Sequence, residues 1–249
     1  MRTLYGPIDS WRFGRSLGID PLAQKAKLCP YNCIYCQYGP TREPALRRRS
    51  LVSSARLQSD LETLSPVDCD QITFAGLGEP TLARNLGELV EVVRQQIAKP
   101  IAILTGGALL PEADVRRDLT TFDHVVVKLD APDERLFRQI NRPPSGYPYT
   151  WTALLESIHA FRREYAGRLS LQMMFLQVNA HAAAQMADLA RSVQADEIHL
   201  DTPLQPALGG PVSASQMKTI AKAFASPPPR VVVRNLYRDG QAQVSPRLF

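Results

Sequence analysis

The chain has no run of the roughly 18 consecutive apolar residues that a membrane-spanning helix needs, and its opening, MRTLYGPIDSWRFGR, lacks the apolar stretch of a signal peptide. The expectation is a cytoplasmic protein with no membrane partner. Cysteine is scarce, with four in 249 residues. Without an export signal, so few thiols argue against a disulfide framework. Long linkers, low-complexity tracts and repeats are also missing. One domain over 1–249 is expected, with a short extension at 1–20 and C-terminal elements at 212–249 packed on it. At 45% hydrophobic residues, 21% charged and a mean hydropathy of -0.17, the chain can bury a substantial core.

Charge of one sign is only slightly in excess, at a formal +5. The excess is local: the first sixty residues hold 10 Arg/Lys against 4 Asp/Glu, leaving 19 against 20 elsewhere. Arg42 and the run Arg47, Arg48, Arg49 form a basic segment suited to phosphate or another anion, or to a solvated face.

Short β-branched runs precede longer segments of helical period, the alternation of a parallel sheet with helical crossovers. Strands are expected at 22–28, 71–75, 100–104, 124–129, 169–175 and 197–200, with a final strand at 231–236. Helices are expected at 81–96, 151–165, 181–192 and 213–224. Glycines and prolines gather just after the strands, at Gly76, Gly78 and Pro80, at Gly106 and Gly107, and at Pro143, Pro144 and Gly146. A Pro/Gly-rich stretch covers 203–211. Loops beyond the carboxyl ends of parallel strands build active sites.

Cys29, Cys33 and Cys36 stand in CPYNCIYC, while Cys69 is isolated and reads as a buried structural thiol. Three thiolates from one tight loop can face a single soft metal centre. Zinc takes four protein ligands, or three and a water, whereas an iron-sulfur cubane held by three thiolates leaves one iron open. His124, His159, His181 and His199 lie far away and have no ligand spacing.

CPYNCIYC, with Tyr35 before its last cysteine, resembles the radical S-adenosylmethionine superfamily. FAGLGEPTL matches that family's glycine-rich element through Gly76, Gly78 and Glu79. ILTGG with Thr105, KLDAPDERLFRQINRP and HLDTPLQP extend the likeness over most of the chain. YGPIDSWRFGRSLGIDP and QYGPT resemble the subgroup of the tRNA wyosine-synthesising enzyme. The resemblance implies an α/β fold, a partial open (β/α)6 barrel. It also implies a [4Fe-4S] cluster on Cys29, Cys33 and Cys36, and S-adenosylmethionine cleaved to a 5′-deoxyadenosyl radical that abstracts hydrogen from substrate. Tyr35, Gly76, Gly78, Glu79, Thr105 and Asn179 are then the expected cofactor contacts. The implied partner is a low-potential electron donor such as a flavodoxin or ferredoxin.

Strand alternation places Val126, Lys128 and Asp130 on one side, so Lys128 and Asp130 are candidates for the chemistry, or for an ion pair with each other. It groups Met173, Phe175, Gln177 and Asn179, of which Asn179 serves either the adenosine region or a helix cap. Met173 and Met174 read as core. Arg12, Arg15, Asn141, Arg142 and His199 are candidate substrate or anion contacts, with a buried core role the other reading for His199. The substrate class is open: a phosphorylated small molecule, a nucleotide, RNA or an acidic peptide.

No cysteine precedes Cys29, unlike the second cluster of wyosine-synthesising enzymes, and none follows Cys69. Two competing readings remain: an activase that makes a glycyl radical on a protein partner, and a zinc-stabilised RNA-binding module without catalysis.

Overall fold

The β-branched runs pair edge to edge in chain order, and the amphipathic segments between them cover one face of the resulting sheet. The computed structural model describes residues 2–64, 67–203, 208–225, 232–235, 237–238 and 241–242. Strands β1 (Leu4–Ser10) and β2 (Gly14–Ile19) form an antiparallel hairpin. From β2 onward every pairing is parallel: β3 (Gln71–Phe74), β4 (Ile101–Thr105), β5 (His124–Lys128), β6 (Arg168–Met174), β7 (Glu197–Asp201) and β8 (Val232–Asn235). The order runs β1 to β8 in sequence, and no ladder among the described residues closes it. The result is an open, partial barrel. A two-residue pair, β9 (Tyr237–Arg238) with β10 (Gln241–Ala242), lies outside this sheet.

The crossovers carry α1 (Ser54–Glu62), α2 (Leu86–Gln96), α3 (Ala113–Leu119), α4 (Glu134–Ile140), α5 (Trp151–Glu164), α6 (Ala183–Val193) and α7 (Ala214–Ala223). Side-chain caps start several of them: Ser53, Asp133 and Thr150 each accept from a backbone N–H one turn on, and Ser213 with Gln216 forms a capping box. The register lines up Leu17, Ile72 and Ile101 in one outward row and Val127, Leu171 and Ile198 in another. All are buried beneath the helices in the main core.

The inward face differs in kind. Ser16, Thr73, His124, Ser170, Gln172, Glu197, His199 and Asp201 all face the barrel interior and are buried. A small separate apolar cluster of Phe13, Ala102 and Val126 with Leu104 packs there. Phe13 comes from the β1–β2 turn, so the hairpin tip folds into the open barrel.

Two expectations need correction. The segment 22–28, expected as the first strand, is a loop; LAQKAKL has no β-branched residue, and Leu28 makes only a single bridge, to Gly78. The first barrel strand is β2, inside the stretch read as an extension at 1–20. Gly14 and Gly18 disguise it as a turn. At Gly18 a Cβ would lie 1.9 Å from the Tyr5 ring, so the glycine lets the β1 side chain cross the strand. The short helices α1, α3 and α4 were not expected. Of the remaining readings, 204–207 within the 203–211 stretch, 231 and 236 at the ends of the last strand, and 226–230 with 243–249 lie outside the described residues.

Candidate active site

The cysteine loop leaves β2 at Ile19 and is pinned along both sides. On one side, Leu28 N–H donates to the Leu77 carbonyl at 3.1 Å and Glu79 N–H donates to the Leu28 carbonyl at 2.9 Å. A Cβ on Gly78 would stand 1.9 Å from that same Leu28 oxygen, and one on Gly76 would stand 2.2 Å from the Asp20 carboxyl carbon. These glycines are therefore required by the loop passing against them. On the other side, Asn32 N–H donates to the Asn141 carbonyl at 3.1 Å and Ile34 N–H to the Ile140 carbonyl at 2.9 Å. The end of α4 thus holds the loop on which Cys33 sits.

Cys29, Cys33 and Cys36 are half-buried, and all three line one cavity of about 370 Å³. Tyr35, Gly76, Gly78, Glu79, Thr105, Lys128, Asn141 and Arg12 share its walls. Burial pushes the Cys29 thiol up, and a charge on Cys33 would push it further. Burial also raises Cys33, although Lys128 opposes the shift. Thiols so placed ligate as thiolates only when a cation offsets the cost. Among the described residues no three Cys, His, Asp or Glu side chains converge as a single-ion site. Zinc draws its thiolates to about 2.3 Å of one point, whereas a cubane seats each thiolate on a different iron. Three thiols spread around one cavity wall fit the cluster better than the single ion.

Lys128 and Asp130 do not pair directly. They meet at the Tyr35 hydroxyl, which donates to Asp130 Oδ2 and accepts from Lys128 Nζ at 3.0 Å. Lys128 also lies over the Tyr35 ring, 4.3 Å from its centroid. Asp130 is buried and accepts from Met174 N–H at 2.9 Å and from Asn141 Nδ2 at 3.1 Å. It lies behind the cavity wall, holding the residues that form it.

Glu79 and Thr105 are buried together. Glu79 Oε1 accepts from Thr81 N–H at 3.1 Å, Thr81 Oγ1 at 2.7 Å and Thr105 Oγ1 at 2.6 Å, while Oε2 accepts from Gly106 N–H at 2.7 Å. These bonds tie the ends of β3 and β4 together. Asn179 is likewise spent on the backbone, accepting from Leu176 N–H and donating to the carbonyls of Asp130 and Met174. It is absent from the cavity wall and makes no side-chain helix cap.

The remaining candidates separate. Arg12 reaches the cavity and pairs with Asp201 at 2.6 Å. Arg15 lies at the far end of β2, half-exposed, paired with Asp68 at 2.9 Å. Arg142 is exposed, although its backbone carbonyl receives Asn32 N–H. His199 is fully buried, 3.0 Å from Glu197, with its ring edge-on to Trp11. In β6 the inward residues include Ser170, Gln172 and Met174, the last two on the cavity wall, while Met173 and Phe175 are buried in the main core beneath the helices. Strand alternation puts Asp201 on the inner face with His199, and Asp201 does line the cavity; sequence reasoning missed Tyr5, Trp11 and Gln172 there, and only the unrecognised β1–β2 hairpin could have pointed to the first two. The basic run is largely structural at its centre, where Arg48 binds Asp114 at 2.6 Å, Asp118, and the carbonyls of Thr81 and Ala83.

The model of the radical SAM superfamily matches residues 25–190. A UPF0026 protein of Synechocystis sp. is 37% identical over 206 residues, 82% of this chain and 76% of that protein. A UPF0026 protein of Methanocaldococcus jannaschii is 33% identical over 232 residues, 90% of this chain and 71% of that one. Among solved structures, Streptococcus suis SuiB bound to S-adenosylmethionine superposes with a TM-score of 0.67 at 12% identity, covering 89% of this chain and 50% of SuiB. That likeness is one of fold, and the chain spans about half of SuiB's length.

Proposed function

The chain belongs to the radical SAM superfamily, and on that premise we propose that it uses one [4Fe-4S] cluster, on Cys29, Cys33 and Cys36, to cleave S-adenosylmethionine and abstract hydrogen from a small anionic substrate. It is an enzyme whose cofactors are a [4Fe-4S] cluster and S-adenosylmethionine, so the non-catalytic zinc module is set aside. When bound, those cofactors supply a 5′-deoxyadenosyl radical. One observation carries the rest: three cysteines and the glycine-lined end of β3 share a single cavity.

The chain's own residues orient and enclose. Gly76 and Gly78 keep the backbone beyond β3 uncovered at the cavity wall, and Glu79 fixes its course through four hydrogen bonds. Tyr35 is locked between Asp130 and Lys128, which keeps the wall beside Cys36 rigid. Arg12 on the cavity wall is paired with Asp201, whereas the ammonium groups of Lys27 and Lys128 make no salt bridge among the described residues, and these two cations favour an anionic substrate. Reduction calls for a low-potential donor such as a flavodoxin or ferredoxin. Exposed Arg42, Arg47 and Arg49, just after the cysteine loop, complement an acidic one.

Anaerobic reconstitution is the test. Iron, sulfide and dithionite-dependent 5′-deoxyadenosine are expected in the wild type and lost in Cys33→Ala. Zinc alone, with no cleavage by folded protein, overturns the reading. Deoxyadenosine formed only when a protein partner is added replaces the small anion with a protein substrate and makes the chain an activase.

A further inference from the structure

We propose that Asn141 sets the reduction potential of the cluster, by donating its side-chain amide to the Cys33 sulfur from a position that Asp130 holds fixed. The inference rests on Cys33 being a cluster ligand, as proposed above.

Asn141 closes α4 and is buried on the cavity wall. Its Nδ2 lies 3.5 Å from Cys33 Sγ, within reach of a hydrogen bond to sulfur, and 3.1 Å from Asp130 Oδ2. The two bonds use the two protons of one nitrogen. Asp130 also decides which end of the amide faces the sulfur. Its carboxylate accepts from Met174 N–H and from the Tyr35 hydroxyl. A flipped Asn141 would set an amide oxygen against this acceptor. The backbone fixes the same contact from the other side, since Asn32 and Ile34, flanking Cys33, donate to the carbonyls of Asn141 and Ile140. Among the described residues no side-chain amide donates in this way to Cys29 or Cys36, so the environment of the three sulfurs is asymmetric.

An N–H aimed at a ligating sulfur stabilises negative charge there. The reduced cluster carries one more electron, partly on its thiolates, so the bond favours the reduced form and raises the potential. Asn141 is thus a positioning residue that acts through Cys33. If it only tethered α4 to the loop, its loss would alter thermal stability or iron content and leave the potential of any loaded cluster unchanged.

The experiment reconstitutes wild type, Asn141→Leu and Asn141→Asp and follows reduction by EPR-monitored titration, with iron content and circular dichroism measured alongside. At a fixed potential the reduced-to-oxidised ratio is expected to fall about tenfold in Asn141→Leu, equivalent to roughly 59 mV for one electron. It should fall further in Asn141→Asp, which places a carboxylate beside the sulfur. An unchanged potential in a loaded variant overturns the role of Asn141 and leaves the enzyme assignment standing. A cluster that loads equally well in Cys33→Ala removes the ligand assignment instead. Should both Asn141 variants fail to load, wild-type protein labelled with 15N at the asparagine side chains decides. Hyperfine coupling from an amide nitrogen to the reduced cluster is expected, and its absence overturns the inference.

Discussion

Arg12 and Asp201 meet at 2.6 Å, joining the turn of the β1–β2 hairpin to the carboxyl end of β7, with both side chains largely withdrawn from solvent. Gln172 Nε2 and Thr202 N–H also donate to Asp201, and the guanidinium packs 4.5 Å from the centre of the Trp11 ring. The sheet is open between β1 and β8 among the described residues, and this pair ties the hairpin turn to the inner face of β7. Removing one member strands a buried charge. Arg12→Met is expected to cost about 3 kcal/mol in urea unfolding, with Arg12→Met combined with Asp201→Leu costing less than the single change. Loosening the hairpin should also raise 5′-deoxyadenosine formation in the absence of substrate, measured by chromatography on reconstituted protein.

Gly78 and Gly87 make a matched comparison. In Gly78→Ala the new methyl meets the Leu28 carbonyl at 1.9 Å, a backbone atom that moves only with the cysteine loop. Iron uptake is expected to fall severalfold while helical circular dichroism persists. At Gly87, in the first turn of α2, the nearest atom would be 3.6 Å away. Gly87→Ala should therefore stabilise by about 0.5 kcal/mol with full iron content.

Glu79 is predicted to act on the backbone rather than on the cofactor. Glu79→Ala leaves the N–H groups of buried Thr81 and half-buried Gly106 without their acceptor. A loss of about 3 kcal/mol is expected. Thr105→Val, which removes one donor to Glu79, should cost about 1 kcal/mol. Thermal unfolding of the metal-free protein tests both. Weaker S-adenosylmethionine binding at unchanged stability in Glu79→Gln would instead make the carboxylate a cofactor contact.

Burial holds His124 neutral, lowering its pKa to about 4, with Glu197 partly opposing the shift and His199 adding to it. In the unfolded chain the same imidazole takes a proton near pH 6.5. Between those values the unfolded state binds more protons, so stability falls as pH drops from about 6.5 towards 4 and is fully present above that window. His124→Gln retains a partner for Ser170 Oγ, which lies 2.6 Å from His124 Nε2. The variant is expected to show a flatter profile by up to about 3 kcal/mol in denaturant midpoints measured across the window. An identical profile in both proteins would place the acid sensitivity elsewhere.

Several parts of this architecture were readable from local pattern. The runs at His124–Lys128 and Arg168–Met174 place Val125, Val127, Leu169, Leu171 and Met173 at every second position, beneath the helices, and that period put Lys128 on the inner side, where it lines the cavity. The spacing of CPYNCIYC marked a soft-metal site, since three thiols within eight residues have no ordinary packing reason to cluster, and the resemblance to a family supplied the kind of centre. β2 was hidden because its glycines serve contacts with Tyr5 and Asp70 that come from other strands and loops. Asn179 misled for a related reason: a polar residue after a strand can face the pocket or the backbone, and its neighbours decide.

The alternation of strand and helix and the grouping of the three thiols in one loop follow from sequence, because each depends on residues close together in the chain. The long-range pairings do not. Asn141 to Cys33 spans 108 residues and Arg12 to Asp201 spans 189. Which carboxylate meets which cation, and which amide meets which sulfur, was decided only when strand register and the returning hairpin brought those side chains within hydrogen-bonding distance.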